Sequence, residues 1–62
     1  MTQYRIILIG YDGRELGSGY LFSSDDRAAC ASAERLIHSS PQAASVQVRD
    51  GERLVCSYDR AA

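Results

Sequence analysis

The chain alternates between short apolar runs broken by turn residues and one longer stretch with helical periodicity. Tyr4 to Tyr11 (Y-R-I-I-L-I-G-Y) is the most apolar run and is rich in β-branched residues. Side chains alternate across a strand, so Ile6 and Leu8 share one face while Ile7 and Ile9 share the other. A strand apolar on both faces needs cover on both, and this one is expected inside a sheet. Asp12-Gly13 then signals a turn, because glycine supplies a positive φ at no steric cost. The chain returns through Glu15 to Phe22 (E-L-G-S-G-Y-L-F). Gly17 and Gly19 inside this return weaken it, which predicts a bulge, an edge position or close approach by another backbone. They lie within a strand pattern, whereas phosphate-binding glycines sit between a strand and a helix N-terminus, so no nucleotide site is read from them.

Ser23 to Pro41 (S-S-D-D-R-A-A-C-A-S-A-E-R-L-I-H-S-S-P) changes period. At about 100° per residue, Ala29, Cys30, Ala33, Leu36 and Ile37 form one stripe, the predicted buried face. Arg27, Ala31, Glu34, Arg35 and His38 fall opposite, facing solvent. Ser23 or Ser24 is expected to cap the start, with Ser23 and Asp26 in the form of a capping box. Asp25 and Asp26 suit the positive end of the helix dipole and His38 suits the negative end, while Pro41 predicts an end near Ser39. Alanines and a cysteine on the inner stripe make a slim helix that can lie close to a sheet.

After a polar connection at Ser39 to Ala43, Ala44 to Arg49 (A-S-V-Q-V-R) alternates cleanly, with Val46 and Val48 inward. Asp50-Gly51 is a second turn and Arg53 to Tyr58 (R-L-V-C-S-Y) returns. A two-residue turn would set Val46 opposite Val55; a three-residue turn with Gly51 left-handed would set it opposite Leu54. The second is expected, because it gathers Leu54, Cys56 and Tyr58 on the face of Val46 and Val48. Asp59 to Ala62 is expected to fray. The two turns echo each other, D-G-R-E-L at Asp12 to Leu16 and D-G-E-R-L at Asp50 to Leu54, which reads as shared turn chemistry.

The reading is therefore α+β, in the order ββαββ, with one helix packed on one face of a four-stranded, mainly antiparallel sheet. At 62 residues the chain is one domain near the lower size limit for a self-sufficient core. A slim helix covers only one sheet face, so a second copy over the other face is expected. Seven arginines, no lysine and eight spread acids leave a net charge of −1, with no basic excess to hold phosphate backbones or anionic lipid. No apolar run approaches the roughly 20 residues of a membrane span. Met1 leads directly into strand pattern rather than a signal peptide, so a cytoplasmic setting is expected. In such a compartment Cys30 and Cys56 read first as small apolar core residues, with a disulfide between helix and sheet as the lesser reading. Two cysteines and His38, far apart and without ligand spacing, predict no metal site and no cofactor.

The segments Tyr4 to Arg14, Phe22 to Ala29 and Val46 to Val55 together resemble a set of short bacterial proteins of unknown function. Those proteins share a tyrosine-led apolar strand, an Asp-Gly turn, an Asp-Asp opening to an alanine-rich helix, and a valine strand ending in a glycine turn. Members often carry a tryptophan near the position of Arg49 or Asp50, which this chain lacks. The resemblance implies the ββαββ fold and a bacterial cytoplasmic setting, and it implies no activity.

Three functions compete. The leading one is a small, non-enzymatic protein-interaction module, self-associating as a dimer through the sheet face opposite the helix, with Arg5, Ile7, Ile9 and Leu21 as candidate interface and a further protein as a possible partner. The alternative is a single-stranded nucleic-acid binder that stacks bases on Tyr4, Tyr11, Tyr20 and Tyr58 beside Arg5, Arg49 and Arg53; a pI near 5.6 weighs against it. An enzyme ranks last: His38 is placed as a helix-terminal cation, Asp25 and Asp26 belong to the cap, and so short a chain leaves little room for a pocket of about 300 Å³.

Overall fold

A computed structural model describes residues 1–60. Strands β1 (Thr2–Gly10) and β2 (Glu15–Ser23) form a hairpin, helix α1 (Asp26–His38) follows, and β3 (Ala43–Asp50) and β4 (Arg53–Asp59) form a second hairpin. The sheet order is β2-β1-β3-β4 and every neighbouring pair is antiparallel. β1 is internal, as its two apolar faces require. Since β2 and β3 both run against β1, they run parallel to each other, and α1 is the crossover that parallel strands need.

Period-two alternation sorts every strand between two faces. Toward the helix, β1 turns Tyr4, Ile6 and Leu8; Ile6 and Leu8 stand opposite Val48 and Val46 of β3, which stand opposite Cys56 and Tyr58 of β4. The core is Tyr4, Ala29, Ala33, Ile37, Ala43, Val46 and Val48, with Ile6, Leu8, Leu21, Val55, Cys56 and Tyr58 packed around it. Ala29 and Ala33 are fully buried, and these small side chains let the helix lie close to β3 and β4, the strands it covers most. The predicted outer residues Arg27, Ala31, Glu34, Arg35 and His38 are all exposed.

Several expectations are corrected. The helix cap is Asp25: its backbone is extended and its side-chain oxygen accepts from the Ala28 N–H at 2.8 Å, so Ser23 and Ser24 are not needed there. Ser23 instead ends β2 opposite Thr2 and is buried. In the second hairpin Val46 stands opposite Tyr58, because a bulge at Val55 shifts the register between Val48 and Arg49. Cys56 and Tyr58 do join the face of Val46 and Val48, but Leu54 pairs with Arg49 on the other face. Gly51 is left-handed as expected, with φ +64.

Leu21 also changes sides. It stands opposite Tyr4 and packs against the core, because directly opposed residues share a face. Cys30 and Cys56 are not free core thiols; the lesser of the two readings holds, and they form a disulfide between helix and sheet with Cα atoms 6.4 Å apart. The expected fraying fails for Asp59, which belongs to β4, and for Arg60, whose N–H donates to the Ala44 carbonyl at 2.7 Å. The rest of that tail, 61–62, lies outside the described residues.

Candidate interaction surface

The face of the sheet away from α1 is built in rungs. Opposed residues place Tyr20, Arg5, Arg49 and Leu54 in one rung, Ser18, Ile7, Gln47 and Ser57 in the next, and Glu15, Ile9, Ser45 and Asp59 in a third. Phe22, opposite Gln3, extends the aromatic corner beyond the first rung. No other element among the described residues lies over this face. Tyr20, Phe22 and Leu54 are 69%, 63% and 48% exposed, while Ile7 and Ile9, shielded by their neighbours on the central strand, are half-buried. Of the residues expected to form an interface, Arg5, Ile7 and Ile9 come together here and Leu21 does not. Tyr20, Phe22 and Leu54 replace it; the parity of β2 about Leu21 would have pointed to Tyr20 and Phe22.

The nucleic-acid platform does not assemble as drawn from the sequence. Tyr4 is 2% exposed, Tyr58 packs toward the helix, and Arg53 is engaged on Asp26. Tyr11 lies exposed in the turn beyond the paired residues of β1, and Tyr20, Arg5 and Arg49 share the open face.

A polar network ties the helix start to the sheet. Buried Tyr4 donates its O–H to Asp26 Oδ1 at 2.7 Å. Arg53 grips the same carboxylate with two N–H groups at 3.1 and 3.2 Å and reaches Asp50 at 3.2 Å. The Arg53 hydrogen bonds, then that of Tyr4, hold the Asp26 carboxyl below its ordinary 3.8. The same contacts raise Tyr4 and Arg53 above their ordinary values, Asp26 being the chief cause in each. At the other helix end, the Arg60 guanidinium donates to the carbonyls of Ala43 at 3.0 Å, Ser40 at 2.6 Å and Ile37, satisfying acceptors that a helix leaves open. The alternation that puts Tyr4 with Ile6 was the available signal for the first cluster. Nothing local foretold the second.

On the helix side, Leu36 and the pair Ile6 and Leu8 border an open apolar groove of about 360 Å³, its floor formed by Gly17 and Gly19. The chain thus has more concave space than its length suggested, but this groove lacks ionisable groups apart from the Tyr20 phenol at its rim. His38 is exposed, Asp25 caps the helix, and Asp26 is held in its network. Among the described residues, no three His, Cys, Asp or Glu side chains are placed to share a metal ion. No helix there is long and apolar enough to cross a membrane. Comparison with protein-family models, with curated proteins and with solved structures finds no match.

Proposed function

We propose that this is a small, non-enzymatic protein-interaction module that self-associates through the sheet face opposite the helix. One observation carries the reading: Ile7 and Ile9 occupy the middle of a four-stranded face that no other described element covers, rimmed by exposed Tyr20, Phe22 and Leu54. Apolar and aromatic side chains gathered on one flat surface of so small a protein are the usual mark of a protein interface. Of the carboxylates weighed for chemistry, Asp25 caps the helix and Asp26 joins it to Tyr4 and Arg53. The likeness to short bacterial proteins is part of this proposal.

The single-stranded nucleic-acid reading keeps only Tyr20, Arg5 and Arg49, in a chain of net charge −1. The cytoplasmic setting expected from the sequence meets a counter-argument in the Cys30–Cys56 bond, since such bonds persist mainly in oxidising compartments. The experiment is sedimentation equilibrium on wild type and Ile7→Lys. A dimer that becomes a folded monomer on substitution supports the reading, and an assembly state unchanged by Ile7→Lys overturns it.

A further inference from the structure

The open face carries its charges at opposite ends. Arg5 and Arg49 stand side by side in one rung, Glu15 and Asp59 occupy the two sheet edges in another, and the rung of Ile7 and Gln47 lies between them. Four residues of strand separate the two charged rungs, about 13 Å. That exceeds the roughly 8 Å over which charges act in physiological salt, so the two ends do not neutralise each other within one protomer. Among the described residues, Arg5, Arg49, Glu15 and Asp59 form no ion pair; the pairs present are Arg14 with Asp12 and Arg53 with Asp26 and Asp50. Among the described residues, the Arg49 guanidinium donates only to the Glu52 carbonyl, at 3.5 Å.

Resting on the self-association proposed above, we infer that two copies pack face to face about a two-fold axis running across the strands, bringing Arg5 and Arg49 of each copy against Glu15 and Asp59 of the other. A closed dimer must be two-fold symmetric and self-complementary. When the strands of the two sheets are aligned, two directions of an axis in the plane between the sheets bring these faces together. An axis along the strands stacks the arginine rungs of both copies on each other, which is repulsive. An axis across the strands exchanges the ends of the face, so each arginine rung meets an acidic rung and Ile7 meets its own symmetry mate at the centre. β1 then lies over β1 of the second copy, and each Arg5 finds Glu15 one strand to the side, offset about 5 Å laterally across the roughly 10 Å between the sheets, a span that the two side chains close together.

The area fits such a dimer. Four strands of about eight residues present roughly 500 Å², so two faces bury roughly 1,000 Å², the low end for a specific interface. At that size the apolar centre supplies modest affinity, and charge complementarity selects the orientation. The aligned packing of two twisted sheets, about 30° apart, preserves the order of the rungs.

The test reverses charges at the exposed positions Arg5 and Glu15. Arg5→Glu and Glu15→Arg are each expected to weaken the wild-type dimer about tenfold, with circular dichroism unchanged. Mixing the two variants restores the complex as a heterodimer. At one contact the two substituted side chains meet with their charges exchanged, and at the other the unaltered Glu15 of the first variant meets the unaltered Arg5 of the second. Two variants that dimerise like wild type, or that remain monomeric when mixed, overturn this arrangement while leaving self-association standing. A wild-type chain that is monomeric at high micromolar concentration overturns both.

Discussion

The two hairpins open with nearly the same turn, Asp12-Gly13 and Asp50-Gly51, and both glycines take a positive φ, +84 and +64. Beyond the turns they diverge. The second hairpin is fastened to the helix at three places: Cys56 bonds Cys30 near the middle, Arg53 holds Asp26 at the start, and Arg60, just past β4, holds the carbonyls at the end. Among the described residues, the first hairpin's one side-chain hydrogen bond to the helix is that of Tyr4 to Asp26. Its outer strand β2 faces the helix with Gly17 and Gly19, and the space above them stays open. Two hairpins with the same turn chemistry therefore serve one as anchor and the other as a lightly covered edge, depending on what the return strand carries.

The largest expected effect comes from cutting the anchor. The disulfide closes a loop with a sequence separation of 26, for which chain-entropy arguments give about 3–4 kcal/mol. Replacing both cysteines by alanine is expected to lower Tm by on the order of 20 °C. A drop of only a few degrees in thermal circular dichroism would show that the helix is held chiefly by packing.

The next effect is pH-dependent. Asp26 has a depressed native pKa, so its contribution is present above the unfolded value and disappears as pH falls through the native one. Asp26→Asn is expected to be less stable than wild type at pH 7, and the gap should close progressively as pH is taken below 3.8. Denaturant titrations at neutral pH and at a pH below that value read this directly. A gap of equal size at both would contradict an ionised Asp26 as the tie between helix and β4.

The smallest effect has opposite signs in the two hairpins. Gly51→Ala forces a side chain into left-handed backbone and should cost about 1–2 kcal/mol. Gly19→Ala meets nothing within 4 Å and lies at an ordinary strand φ, so removing unfolded-state freedom should stabilise by about 0.4–1 kcal/mol. Urea midpoints of the two variants on opposite sides of wild type would sharpen the comparison; a loss at Gly19 would mean that its backbone is needed.

Period and turn chemistry made most of the fold legible. The helix stripe, the internal position of β1 and the inward Val46 and Val48 all follow from spacing within single segments. What escaped depends on counting across segments. Leu21 and Leu54 change faces because each strand's parity is fixed by its partner, and in the second hairpin by an extra residue at Val55. The disulfide, the grip of Arg53 and that of Arg60 are long-range contacts, 26, 27 and up to 23 residues apart, which local pattern does not encode. On the candidate surface, Arg5, Ile7 and Ile9 were readable from β1 alone. The charge layout that makes the face self-complementary appeared only once the four strands were set in register.

Whether the open face is a surface for a second copy is tested most directly by sedimentation equilibrium on wild type and Ile7→Lys from low to high micromolar concentration. The predicted result is a reversible wild-type dimer and a folded Ile7→Lys monomer, since a lysine at the centre of the face buries an unpaired charge only when two copies meet. A wild-type monomer throughout, or a dimer indifferent to Ile7→Lys, would contradict it.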